Sequence, residues 1–506
     1  MSDTMYDWFA ATVRRHPGQP ALLVGDVTFT YRELAALVDR LAADLGPLPA
    51  GARVGLLAAR SPLAYAGYLA ILRAGGTVVP LNPIFPRDRN ATIATRAGLW
   101  TVLVDTTMSA SLAPVRAPLV HAAPSGHVTG RQGRPASADD GPGSADDATA
   151  YILFTSGSTG VPKGLPIRHD NVRPYVEHHV ARYNVGPGSR LSQTFDLTFD
   201  PSVFDMFVTW TGGGALVVPR REELADPAAF VNRHGVTHWF SVPSVVSLAR
   251  RMRRLPAGCM PDLRWGLFAG EQLTCDQAAA WHRAAPDAVI ENLYGPTELT
   301  VTCTVHRQPA DPADWPRTRN GTVPIGRCLP HLEYVVLDEQ GHPAREGELC
   351  VRGPQRFAGY LDPANNAGRF LSWSPGRTAM THPGSDPPSE RLWYRTGDRV
   401  VDDDGELTHL GRLDSQVQVH GYRVELGEIE AVLRRHPEVE DAAVFFDGVD
   451  LRALYVGGTL PAEHLARWVA TRLPGYMVPA RIASVELFPR NDNGKLDRRK
   501  LEALAC

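Results

Sequence analysis

Residues 54–81 constrain the fold more than any other stretch of this sequence. Residues 54–57 form a short apolar run, long enough for a buried strand. Pro62–Arg73 reads as a helix: proline opens it, where no backbone N–H is needed, and Gly75–Gly76 follow its end. Thr77–Leu81 is a second apolar run. Strand, helix and strand at this spacing predict a βαβ unit and hence a parallel sheet. Similar runs recur at 100–104, 150–154, 215–218, 238–242, 263–268 and 288–292, and Leu34, Leu37, Val38, Leu41 and Leu45 repeat at helical spacing. The large N-terminal part is therefore read as α/β, with helices and parallel-rich sheets.

Two stretches interrupt the pattern. Residues 122–147 and 374–391 are rich in Gly, Pro, Ser and Asp and read as surface loops without a core of their own. Beyond about Gly411 the rhythm changes. A helix at 426–436, strands at 439–446 and 451–456 and a helix at 461–473 suggest a small, mobile α+β lobe. The expected organisation is a core of residues 1–413 and a lobe of residues 414–506, with a hinge near Asp414. Unequal lobes with a seam between them suit a ligand held at a domain interface.

Composition excludes several classes. The 52 Lys+Arg against 55 Asp+Glu give a net charge of −3, without the basic excess expected of a phosphate-tracking nucleic-acid binder. Six cysteines over 506 residues show no CxxC pair, so neither a disulfide framework nor a zinc site is expected. The N-terminus lacks the apolar core of a signal peptide. No run approaches the roughly 18 apolar residues of a membrane span. A cytoplasmic protein with no nucleic-acid or membrane partner is the expectation.

The strongest local signal is Thr155-Ser156-Gly157-Ser158-Thr159-Gly160-Val-Pro-Lys163-Gly164, at the end of an apolar run. Glycines that let backbone N–H groups approach an anion, hydroxyl donors and a terminal lysine are what a polyphosphate requires. It is not a Walker A loop, since Gly164 and not Ser or Thr follows the lysine. Further along come Asn292-Leu-Tyr294-Gly-Pro-Thr297-Glu298, Tyr394-Arg-Thr-Gly-Asp398, Gly411-Arg412-Leu-Asp414, Gly421-Tyr-Arg-Val-Glu425 and Asn493-Gly-Lys495. Each alone could be a turn with solvated charges; all of them in this order are not.

With these motifs the chain resembles the adenylate-forming enzymes, and within them the amino-acid adenylation domains of nonribosomal peptide synthesis. Phe29-Thr-Tyr-Arg-Glu-Leu34, Arg73-Ala-Gly-Gly-Thr-Val-Val-Pro80, Gly347-Glu-Leu-Cys-Val-Arg-Gly353 and Ala358-Gly-Tyr-Leu361 extend the resemblance over nearly the whole chain. It implies activation of a carboxylate with ATP and Mg²⁺, then transfer to a phosphopantetheine thiol. Residues 155–163 would hold the β,γ-phosphates. Asn292 belongs to the nucleotide site; Tyr294 would stack on adenine beside Gly270 and Glu271, Thr297 would contact the α-phosphate and Glu298 would ligate the metal. Asp398 would bind the ribose hydroxyls, supported by Arg412, with Asp414 as hinge. Lys495 would bridge the carboxylate, the ribose and the charge developing on the α-phosphate. Two departures stand out: Gln418 and His420 occupy positions where the family usually has a lysine and a basic residue, in the segment that turns toward the thiol.

The same resemblance places the substrate. Asp200 would pair with an α-ammonium, with Asp196 a weaker competitor; an unpaired buried aspartate is costly, so its presence argues for an amino substrate. The remaining pocket positions are Pro201, Phe204, Ser241, Leu267, Ala269, Leu293, Val301 and Thr302, closed by Lys495. With no second acid or base among them, a charged side chain would go unpaired. The pocket pattern is closest to free-standing ligases that load L-proline onto a carrier protein. Proline or a similar compact residue is the expected substrate, with Val, Ile, Ser or Thr as alternatives. Lys495 lies 11 residues from the end of the sequence, so the carrier protein is expected in trans; a small accessory protein is left open. An acyl- or aryl-CoA ligase, and a non-catalytic nucleotide-binding homologue, are the competing readings.

Overall fold

In the computed structural model, residues 4–112, 117–125, 128–132, 148–156, 161–384, 386–414, 416–419, 421–458 and 460–488 are described. The βαβ unit forms as read. Strands Arg53–Leu57 and Thr77–Leu81 pair in parallel, joined by the helix Pro62–Arg73. That helix is buried from Leu63 to Leu72, which explains why its sequence is apolar all round instead of amphipathic. Gly75 takes φ +77°, which favours glycine in the turn, and a Cβ on Gly76 would lie 2.8 Å from a Leu48 methyl, so the chain packs tightly there.

These strands belong to a seven-stranded sheet in which Thr101–Asp105 and Thr149–Thr155 continue the parallel order. A nine-stranded sheet contains the parallel run Ala215–Val218, Arg190–Ser192, His238–Ser241, Trp265–Phe268 and Val289–Tyr294. One continuous apolar core joins these two sheets to a third, antiparallel one built around Glu346–Arg352 and Trp393–Asp403. The small C-terminal part has its own core, formed by Leu426–Arg434, Val439–Phe446, Leu451–Gly457, Ala462–Ala470 and Arg481–Ser484.

Two features differ from the sequence reading. The stretch at 122–147, read as loop, contributes the strand Val128–Gln132, antiparallel to Leu119–Ala122; its sheet edge offers backbone pairing that composition does not reveal. Residues 374–391 contribute the two-residue strand Met380–Thr381. The strand Lys163–Arg168 runs antiparallel to Thr149–Thr155, with Lys163 directly across from Thr155. Among the described residues no helix is long and apolar enough to cross a membrane.

Candidate nucleotide and substrate site

Parallel strands end where loops must satisfy the backbone, and such carboxyl ends are where open α/β sheets bind ligands. Here Ser241, Phe268 and Tyr294 end three neighbouring strands. A cavity of about 130 Å³ lies beside them, walled by Asp200 and Pro201, by Ala269, Gly270 and Glu271, and by Asn292, Leu293, Tyr294, Thr297 and Val301. Asp398 and Arg412 close it from the antiparallel sheet, and Gln416, Gln418 and Arg423 close it from a hairpin, Gln416–Val419 with Tyr422–Glu425.

The wall after Tyr294 is strained. Thr300 and Val301 take φ of +56° and +69°, a region costly for β-branched residues. Gly295 permits the fold-back, since a Cβ there would meet Thr302 Cα at 2.5 Å. Buried Gln355 holds the loop: its amide donates to the carbonyls of Leu299, Thr300 and Thr302, and the Thr300 hydroxyl donates to its carbonyl.

Asp398 and Arg412 face each other across antiparallel strands, which sets their 3.0 Å ion pair. Asp398 also accepts from the Tyr294 hydroxyl (2.7 Å) and lies 2.8 Å from His409 Nε2. Burial pushes its pKa up, but His409, Arg412 and Tyr294 outweigh that and hold it below the ordinary value. Of the roughly four lone-pair directions of the carboxylate these contacts take three, which leaves one on Oδ1 for a hydroxyl donor. Arg412 extends a two-point contact to Asp414, at 2.9 and 2.7 Å.

Asp200 is 4% exposed and its Oδ2 has no hydrogen-bond partner among the described residues. It sits at the N-cap position of the turn Pro201–Val203 yet makes no capping bond, so the bland role of a capping aspartate is not the one it plays. Burial raises its pKa to about 7, with the Thr297 hydroxyl opposing and Glu298 adding. Asp196, by contrast, is used locally, accepting from the Thr198 N–H and hydroxyl. Beyond Pro201 the helix passes through a π-helical turn, Phe204–Val208, an irregularity common at functional sites.

Glu298 is 1% exposed. Tyr360 donates to it at 2.6 Å, and Arg423 reaches both its oxygens at 3.1 and 2.9 Å. Burial alone would raise its pKa; Arg423 and Tyr360 prevail and bring it to about 2. The Ser156 hydroxyl donates to the Arg423 carbonyl and accepts from the Glu425 N–H. Lys163, paired across the strands with Thr155, is buried with its Nζ 5.9 Å from the Tyr360 ring centroid, and burial lowers its pKa.

Not every predicted residue borders the cavity. Phe204, Leu267 and Thr302 are buried but absent from its walls. The Phe204 ring packs on Phe240, and the Thr302 hydroxyl bonds the Tyr175 hydroxyl. Ser241 lines a second, larger cavity of about 720 Å³ with Gln193, Val242 and Tyr422, and Phe199 borders both cavities. Gly157, Ser158, Thr159, Gly160, His420 and Lys495 lie outside the described residues. Four residues enter that sequence reasoning gave no role: Gln355, Tyr360, His409 and Arg423. Tyr360 and Arg423 stand inside quoted motifs, which was the available signal; Gln355 and His409 carry none.

Residues 9–361 match the AMP-binding enzyme family and residues 428–495 match the AMP-binding enzyme C-terminal domain. Phosphinothricin tripeptide synthetase PhsC of Streptomyces viridochromogenes is 34% identical over 98% of this chain and 45% of its own length. Tyrocidine synthase 3 of Brevibacillus parabrevis is 31% identical over 99% of this chain and 8% of its own length. The chain thus spans less than half of either relative. The Vibrio cholerae adenylation domain AlmE, solved with glycyl-adenosine-5'-phosphate, is similar with a TM-score of 0.82 at 28% identity, covering 100% of this chain and 98% of that one. NpsA-ThdA, an artificially fused adenylation–PCP di-domain from Klebsiella oxytoca, gives 0.77 at 25% identity, covering 95% and 93%. With both parts of the chain matched and the site at the expected strand ends, the chain belongs to the AMP-binding, adenylate-forming enzymes and is a homologue of nonribosomal peptide synthetase adenylation domains.

Proposed function

We propose that the chain activates a compact neutral amino acid, L-proline or one of similar size, as the aminoacyl-adenylate and passes it to the phosphopantetheine thiol of a separate carrier protein. Asp200 carries the reading. A buried carboxylate with an unpaired oxygen, beside the small apolar wall of Ala269, Leu293 and Val301, calls for a cationic partner, and the α-ammonium of an amino acid supplies one. The AlmE complex with a glycyl-adenylate is consistent with a small substrate on this fold.

In this reading the substrate carboxylate attacks the α-phosphorus of ATP, a C–O–P linkage forms, and the α–β bridge breaks to release pyrophosphate. Two anions must meet, so fixed cations and donors at the developing charge do most of the work. Asp398 accepts from the ribose hydroxyls, with Arg412 beside it. Tyr294 faces the base near Gly270, Glu271 and Asn292. Residues 155–163 hold the β,γ-phosphates, and Thr297 donates to the α-phosphate. Glu298 with nearby hydroxyls is a hard-oxygen set suited to Mg²⁺, which these enzymes generally use with ATP. Mg²⁺ there would neutralise charge on the leaving group. Lys495 is assigned the α-phosphate side.

For the second step the thiol attacks the acyl carbon, a C–S bond forms and AMP leaves. We assign the route of the thiol arm to the 720 Å³ cavity, with Phe199 as the partition next to the substrate. Asp414, gripped by Arg412, is the proposed hinge between residues 1–413 and 414–506. Mass spectrometry of holo-carrier proteins incubated with the enzyme, ATP and single amino acids tests this. A mass gain of one proline-sized aminoacyl group supports it, and loading of a non-amino carboxylic acid alone refutes it.

A further inference from the structure

The hairpin 416–425 occupies the nucleotide site in two chemically specific ways. Arg423 covers both oxygens of Glu298, the carboxylate assigned above to the metal. Glu298 is 1% exposed in this arrangement, so a cation entering from solvent meets a guanidinium already in place. Independently, Ser156 gives its proton to the Arg423 carbonyl and accepts from the Glu425 N–H, so the hydroxyl assigned to a phosphate oxygen is spent on hairpin backbone. Arg423 is braced from within the hairpin: its Nε donates to Gln416 Oε1 at 2.7 Å, and the Gln416 amide bonds Glu425.

A second set of contacts holds the same lobe orientation without touching either group. Arg89 of the large part and Glu428 of the small one pair at 2.7 Å, at 6% and 0% exposure. Arg89 Nε and Glu428 Oε2 have no hydrogen-bond partner among the described residues. Tyr422 of the small part stacks on Phe199 of the large one with ring centroids 5.8 Å apart, and Gly421 passes so close to Val242 that a Cβ would lie 2.3 Å from its methyl.

We propose that Arg423 is a positioning residue that stands in for the metal at Glu298, so that docking of the hinge hairpin and binding of the metal–nucleotide at this carboxylate exclude each other. The inference rests on the reading of Glu298 and Ser156 as nucleotide-site residues. It gives the hairpin a sensing role: docking is strong only when Glu298 has lost its metal and Ser156 its phosphate. The coupling is reciprocal, because whatever amount metal–nucleotide weakens docking, docking weakens metal–nucleotide binding equally. If the hairpin is docked in about nine molecules of ten, the apparent Kd for Mg·ATP is raised about tenfold over that of the undocked protein. Arg423 sets the coupling, whereas Arg89–Glu428 sets only the bias between orientations.

The test uses the full chain labelled with a donor–acceptor pair across the two lobes, without amino-acid substrate, so that ATP is not consumed. Calorimetry on the same samples follows binding of Mg·ATP and of ATP in EDTA. The expected result is that Mg·ATP shifts the lobe signal of the native protein while ATP in EDTA shifts it far less. Arg423→Gln should bind Mg·ATP about tenfold more tightly, by the same population argument, and lose the Mg²⁺ dependence of its lobe signal. Arg423→Lys, which keeps a cation and a hairpin-compatible side chain, should retain an intermediate dependence. Arg89→Ala should move the midpoint yet keep the Mg²⁺ dependence in full. Binding of Mg·ATP to the native protein with no change in lobe signal would overturn the proposal, as would full native Mg²⁺ dependence in Arg423→Gln. Absence of any nucleotide binding would overturn the nucleotide-site reading, and the exclusion with it.

Discussion

Asp200→Asn should separate stability from function. Asp200 has a pKa of about 7 in the folded protein against an ordinary 3.8, because burial disfavours its charged form and nothing pairs its Oδ2. The folded state therefore holds this proton over a pH range where the unfolded chain releases it. For an acid moved in this direction the stability penalty is absent well below pH 3.8, grows as pH rises between 3.8 and 7, and is complete above 7. At about 1.4 kcal/mol for each tenfold change in proton affinity, it amounts to roughly 4 kcal/mol at pH 8 and roughly 1.5 kcal/mol at pH 5. Asp200→Asn removes the ionisation, so the variant should be more stable than the native protein at pH 8 by up to that amount, with the gain shrinking toward pH 5. Activity should move the other way. Without the carboxylate the substrate ammonium is left unpaired in a buried site, a loss of about 3–5 kcal/mol in kcat/KM, or roughly 10²–10³·⁵-fold. The native KM for the amino acid should rise as pH falls below about 7, where Asp200 takes up a proton, and the variant should lack this dependence. Urea unfolding at pH 5 and 8, with initial rates across the same range, checks both arms. A variant whose stability follows the native pH profile, or which keeps native kcat/KM, would refute the reasoning.

Other perturbations follow from the strained wall and the metal carboxylate. Gly295→Ala puts a methyl 2.5 Å from backbone at Thr302, so about 1–3 kcal/mol of stability should be lost to the forced displacement; thermal denaturation together with nucleotide binding reads it. Gln355→Ala leaves the carbonyls of Leu299, Thr300 and Thr302 without their donor; a loss of about 2–4 kcal/mol in urea unfolding is expected, with weakened substrate affinity as Val301 relaxes. Tyr360→Phe removes the hydroxyl bonded to Glu298, costing about 1.5–3 kcal/mol, and lets the Glu298 pKa drift upward from about 2. Acid unfolding should then begin at a higher pH than in the native protein, since that carboxylate's stabilising contribution is lost as pH falls through its folded pKa.

The parts of this protein that were legible in its sequence are those set by local pattern. The βαβ unit at 53–81 could be read because helix bounds follow from Pro62 and Gly75, and strand bounds from short apolar runs. The strand Val128–Gln132 was not, because an edge strand is made by its partner's backbone and its residues carry no strand signature. Motif residues such as Tyr294, Asp398 and Arg412 border one cavity, and a cross-strand register brings Asp398 opposite Arg412. Arg423 and Glu298 are 125 residues apart, and only tertiary structure shows that the cation in one motif neutralises the anion in another. Pocket depth was equally hidden: Phe204 and Thr302 have the right positions, but whether such side chains border a cavity or pack behind it depends on neighbours such as Phe240 and Tyr175.

The central claim is that this site adenylates a compact neutral amino acid. Amino-acid-dependent ATP–pyrophosphate exchange measures that step without any carrier protein. The assay covers the common amino acids, with acetate, benzoate and a fatty acid as controls. The account predicts exchange dominated by proline or a residue of similar size, none with Lys, Arg, Asp or Glu, and none with the organic acids. Exchange with the organic acids alone would contradict the assignment of Asp200 as the amine anchor, and with it the account.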